Sequence, residues 1–84
     1  MKYSVVWMPQ AEDDLARIWI ASRRQQLVSK ASNEIDTQLQ TDADKSGSDN
    51  GKHRVLIVRP LAVAFEVSIE DRMVRVLYVS EETN

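Results

Sequence analysis

Six side chains are the candidates for moving protons or offsetting developing negative charge: Lys52, His53, Arg54 and Arg59 within one short span, then Arg75 and Tyr78. His53, the single histidine, has the type of a general base. Lysine and tyrosine can exchange a proton, and a guanidinium can stand against an oxyanion. Each residue also has a plainer use. A lone histidine at a strand start is commonly solvated or hydrogen-bonded, and arginines on an edge strand discourage strand-to-strand aggregation. Arg54 and Arg59 have opposite parity, so a flat strand cannot turn both to one phosphate. Arg72 and Arg75 flank a turn and read as surface, with Arg75 sharing a face with Leu77; Arg23 and Arg24 read as solvated at a helical break.

Other chemistries find less support. The chain has no cysteine, which removes disulfides and thiolate metal ligands. A zinc site built from carboxylates and His53 alone lacks a ligand spacing, so no metal and no cofactor are expected. "SGSDNG" lacks the lysine and helix start of a phosphate-binding loop. Nothing in the spacing brings a serine, His53 and an aspartate together as a nucleophilic triad.

The elements that must position these residues belong to a small protein. The 84 residues predict one domain over 1–84, with one hydrophobic core. The start, "MKYSVVWMPQAEDD", lacks the apolar stretch of a signal peptide, and Arg59 splits the longest apolar run, so a cytoplasmic protein without a membrane span is expected. The net charge of −2 argues against nonspecific nucleic-acid binding through overall charge. Yet Lys52–Arg59 holds three basic residues and no acid, a local basic strip in an acidic protein.

"YSVVW", residues 3–7, is β-branched and aromatic and predicts a short strand ended before Pro9. Pro9 suits the first turn of a helix. Glu12, Asp13 and Asp14 then complement the helix dipole. Ala11, Leu15, Ile18, Trp19 and Ser22 form one stripe, placing Trp19 in the core rather than on a ligand platform. The pattern lapses at "ASRRQQ" and restarts with Leu27, Ala31, Ile35 and Leu39, which predicts a second helix packed as a hairpin on the first. Residues 41–52, "TDADKSGSDNGK", read as a loop. Beyond it the period becomes two. Val55, Ile57 and Arg59 alternate with Arg54, Leu56 and Val58; Leu61, Val63, Phe65 and Val67 share a face opposite Ala62, Ala64 and Glu66; "IEDR" turns into a last strand, Met73–Val79. The fold class is therefore α+β: a strand, a helical hairpin and a three-stranded antiparallel meander, with helices on one sheet face and a ligand or partner on the other.

This order, with "YSVVWMPQAEDDLARIWIA", "SKASNEIDTQL" and "RVLIVRPLAVAFEVSIEDRMVRVLYV", resembles the RelE/ParE superfamily of bacterial toxins over nearly the whole chain. The resemblance implies a small toxin of a type II toxin–antitoxin (plasmid stabilisation) system, bound by an antitoxin whose tail wraps it. One branch of the superfamily cleaves mRNA on the ribosome without a metal, and another poisons DNA gyrase. A shared fold does not choose between them.

Metal-free RNA cleavage needs a deprotonated 2′-hydroxyl, a protonated leaving oxygen and charge stabilisation on one surface. The sequence departs from the family there. "LAVAF" stands where members read roughly "YRVVY", with Ala62 in place of a usual arginine and Phe65 in place of a usual tyrosine. Ser80, Glu81 and Glu82 follow "VLYV" where histidine, arginine or tyrosine is common. The leading expectation is a toxin-like component acting by protein binding, gyrase-directed or of reduced potency. One alternative is a ribosome-dependent endoribonuclease whose basic site is rebuilt from Lys52, Arg54, Arg59 and Arg75. Another is an inert homologue that only binds an antitoxin. Homodimerisation stays open.

Overall fold

The chain orders as a five-stranded sheet with two helices on one face, described for residues 2–49, 51 and 53–82 of a computed structural model. The first strand, β1 (Ser4–Trp7), is β-branched and aromatic, and Pro9 opens the first helix, α1 (Pro9–Ala21), at the position where a missing N–H costs nothing. No glycine or proline ends α1. Its last turn closes when Ser22 adopts an extended conformation and donates its N–H to Trp19 O at 3.3 Å. The Gln25 side chain donates to the same carbonyl at 3.0 Å, and Arg24 N–H donates to Ser22 Oγ at 2.9 Å, which fixes the hairpin turn.

The second helix, α2 (Gln25–Asp42), runs further than the loop-like composition of 41–52 predicts, and a 3-10 turn (Ala43–Lys45) extends it again. Ala43 supplies the reason: it is fully buried, so the helical path continues to bring it into the core. The buried stripe of α2 is Val28, Ala31, Ile35 and Leu39. Leu27, expected to begin that stripe, is 45% exposed, and Val28 takes its place.

A two-residue strand, β2 (Ser48–Asp49), then pairs with β3 (Arg54–Val58); β4 (Leu61–Ser68) and β5 (Met73–Glu81) complete the antiparallel meander. The sheet order is β1-β5-β4-β3-β2, with β1 parallel to β5 and every other pair antiparallel. The core lies between the sheet and the helices, where Leu61, Val63, Phe65, Val74 and Val76 meet the α2 stripe.

One irregularity decides which residues face out. Phe65 pairs with Val76, but Ala64 pairs with Tyr78, so Leu77 is an extra residue and β5 carries a bulge. Inward parity changes across it: Val74 and Val76 are buried before the bulge, and Val79 after it. Beyond Val76, β1 no longer flanks β5. Helix α1 packs there, and Asp14 Oδ2 accepts the Val79 N–H at 3.1 Å.

Candidate functional site

The helix-free face of the sheet is built in cross-strand rows. Ile57, Ala62 and Ser80 form one row; Val55, Ala64 and Tyr78 the next; Glu66, Arg75 and Val6 the third. Because residues 61, 63 and 65 of β4 point into the core, Ala62 and Ala64 form the floor of this face. Ile57 and Tyr78, 47% and 56% exposed, rise on either side of that floor. The result is an apolar trough two rows long, with charges only in the third row.

Of the described candidate residues, Tyr78 and Arg75 share this face, whereas Arg54 and Arg59 lie away from it. Arg75 does lie on this face, but its guanidinium stands 3.8 Å from the Glu66 carboxylate, so its field is partly offset. Arg54 turns to the helix side, where Nε donates to Ser46 O at 2.8 Å and the guanidinium also reaches Gly47 O. It serves the chain end of the helical segment. Arg59 sits in the β3–β4 turn, where its peptide bond to Pro60 is cis, and lines a cleft with Arg23 and Arg24. His53 is half-buried just ahead of β3, Tyr78 is exposed on the trough, and Lys52 lies outside the described residues. Phe65, at the position where a tyrosine is usual in the resembling family, is fully buried against the helices.

Besides Leu27, the sequence pattern misplaced Trp19, understated Asp14 and passed over Asp36. Trp19, expected in the core, is 41% exposed; it closes the hairpin instead, donating its indole N–H to Ser29 Oγ at 3.1 Å. With Trp7, Leu15 and Ile20 it lines a groove of about 590 Å³ between α1 and α2. Asp14, expected only to complement the helix dipole, holds the β5 backbone. The Val79 N–H, then the Gln10 amide and Arg17, pull its carboxyl below its ordinary range. Asp36, unremarked in the sequence, accepts the Trp7 indole N–H at 3.1 Å and ties β1 to α2. No local pattern announces the Asp14–Val79 and Trp7–Asp36 pairings, whose partners stand 65 and 29 positions apart.

No family model and no curated protein sequence matches this chain. Solved structures do. The RelBE2 toxin–antitoxin complex of Mycobacterium tuberculosis superposes with a TM-score of 0.78 at 12% identity, over 100% of this chain and 95% of that one. A chromosomal ParDE system of Pseudomonas aeruginosa gives 0.73 at 20% identity, over 98% of both chains. The intact Escherichia coli RelBE complex gives 0.61 at 15%, over 98% and 99%. Near-complete coverage of both chains means that the strand, the helical hairpin and the meander correspond as one unit, and the fold of this protein is that of the RelE and ParE toxins.

Proposed function

We propose that this chain is the toxin-like component of a type II toxin–antitoxin system of the plasmid-stabilisation kind, acting in the cytoplasm by binding a protein, in the manner of the gyrase-directed branch. The observation that carries the reading is the apolar trough of Val55, Ile57, Ala62, Ala64 and Tyr78 on the helix-free face. Stabilising a pentavalent phosphoryl group requires several donors aimed at one point. Among the described residues, the one arginine in the strands of this face stands beside a carboxylate, while Arg54 and Arg59 sit elsewhere. Exposed apolar side chains flanked by charge are instead the ordinary composition of a protein-binding surface.

A cognate antitoxin is part of the same proposal. Two of the structural neighbours are named as toxin–antitoxin complexes. Trp19, Ile20 and Leu27, all exposed at the helical hairpin, supply apolar surface for a partner to cover.

The test is to induce the chain alone in bacteria, map RNA 5′ ends within minutes, and assay the purified protein for inhibition of gyrase supercoiling. The expected result is growth arrest with supercoiling inhibited and no new RNA ends. New ends inside translated messages, lost when Lys52, Arg54, Arg59 and Arg75 are all changed to alanine, would overturn the reading in favour of a ribosome-dependent nuclease. Absence of any arrest would leave an antitoxin-binding homologue.

A further inference from the structure

A cleft of about 540 Å³ opens where the turn of the helical hairpin meets the β3–β4 turn and the end of β5. Three arginines line it, Arg23 and Arg24 from the hairpin turn and Arg59 from the strand turn, together with Glu81 and Glu82. Ala21, Leu27 and Pro60 supply its apolar lining. The two arginine-bearing segments are far apart in sequence, and only the folded chain brings them together.

The cleft has a fixed frame. Glu82 N–H donates to Pro60 O at 2.7 Å, tying the end of β5 to the strand turn. The bond from Arg24 N–H to Ser22 Oγ fixes the other wall. Inside this frame the charges are unspent: among the described residues, none of the ion pairs within 4.0 Å involves these three arginines or two glutamates. Were the cleft a structural latch, its opposite charges would close on one another. They stay apart, and all three arginines are exposed.

We propose that this cleft is a docking site for a segment of a partner protein that places a side-chain carboxylate between Arg59 and the Arg23–Arg24 pair and an apolar side chain over Leu27 and Pro60. A basic residue of the same segment answers Glu81 and Glu82. Guanidiniums bind a carboxylate through paired, directional hydrogen bonds, so opposed arginines favour a compact anion. A nucleic acid is the poorer fit, because successive phosphates would run into the glutamate wall. The site is separate from the apolar trough, and the inference stands on the cleft's own residues, whatever the target of the trough.

The probe is a short, capped, fluorescein-labelled peptide with a glutamate between two leucines and a lysine one helical turn later, titrated against the intact protein by anisotropy. Its counterpart carries glutamine for glutamate, and a single-stranded RNA oligomer is run alongside. The expected result is binding of the glutamate peptide, weakened about tenfold or more by the glutamine change or by Arg23→Gln, Arg24→Gln and Arg59→Gln together. A charge swap guards against misfolding: Arg23→Glu, Arg24→Glu and Arg59→Glu should transfer preference to a peptide carrying lysine in place of the glutamate. No peptide binding up to millimolar concentration, binding indifferent to the glutamate, or arginine-dependent RNA binding in place of peptide binding would each overturn the proposal.

Discussion

Asp14 and Val79, separated by 65 positions, are joined by a hydrogen bond of 3.1 Å from the strand N–H to the helix carboxylate. The bond occupies the side of β5 that β1 leaves open, so the helix finishes what the sheet does not. Replacing the side chain by Asp14→Ala is expected to cost about 1–2 kcal/mol, since a partly buried N–H loses its acceptor. The pH dependence follows from the sign of the shift. Asp14 titrates below its ordinary value of 3.8 in the folded chain, so its contribution is complete above that value and is lost as pH falls through the lower, folded one. Urea unfolding from neutral pH into the acid range should show a shallower acid loss for the variant; identical acid limbs would refute the assignment.

Arg54 separates a structural role from a chemical one. Its guanidinium is committed to Ser46 O and Gly47 O, away from the trough. Arg54→Met should lower stability by about 1 kcal/mol and, on the toxin-like function proposed above, leave growth inhibition unchanged at matched expression. A folded variant without toxicity would assign the residue a direct functional part.

Gly47 and Gly51 form an internal comparison. Both have positive φ, +68° and +100°. A Cβ at Gly47 would run into the Val55 carbonyl, whereas a Cβ at Gly51 meets open space. Gly51→Ala should cost about 1 kcal/mol, from the backbone conformation alone. Gly47→Ala should cost about 2 kcal/mol or more, because β3 must also yield. Equal losses in thermal unfolding would show that the Gly47–Val55 approach can relax freely.

Ile57 and Tyr78 stand over the alanine floor with about half their surface exposed. Ile57→Ser with Tyr78→Ser should leave unfolding stability within about 1 kcal/mol, as for most surface substitutions. The pair should nevertheless abolish growth inhibition if the trough binds the target. Full activity in the double variant would remove the trough from the mechanism.

How far the sequence reveals this molecule depends on whether a feature is local. The helix stripe through Ala31, Ile35 and Leu39 and the alternation from Leu61 to Val67 follow from burying one face of each element, and the structure realises both. The exchange of Leu27 for Val28 arises because a four-residue spacing drifts around the helix, and the start of α2 is fixed by the turn at Ser22–Arg24. A two-residue strand such as β2 is too short to show a period. The parallel placement of β1 beside β5 is set by contacts across the whole chain. The bulge at Leu77 changes which of two adjacent residues, Leu77 or Tyr78, continues the outward row, and a strictly alternating reading cannot register it. The scattered arginines illustrate the same limit: their types suggested chemistry, but only the turns decided their neighbours.

The pairing of β1 with β5 makes the first strand of the chain a neighbour of the last. During synthesis the helical hairpin emerges before the strand that joins it to β1 and carries Val74 and Val76 into the core, because β5 follows every other strand described. Long-range pairing of this kind cannot be rewarded until both ends exist. A nascent chain stalled before β5 therefore lacks both the closed core and the Tyr78 side of the trough. Fragments truncated before β5 would leave Leu61, Val63 and Phe65 uncovered and be cleared by proteolysis rather than fold.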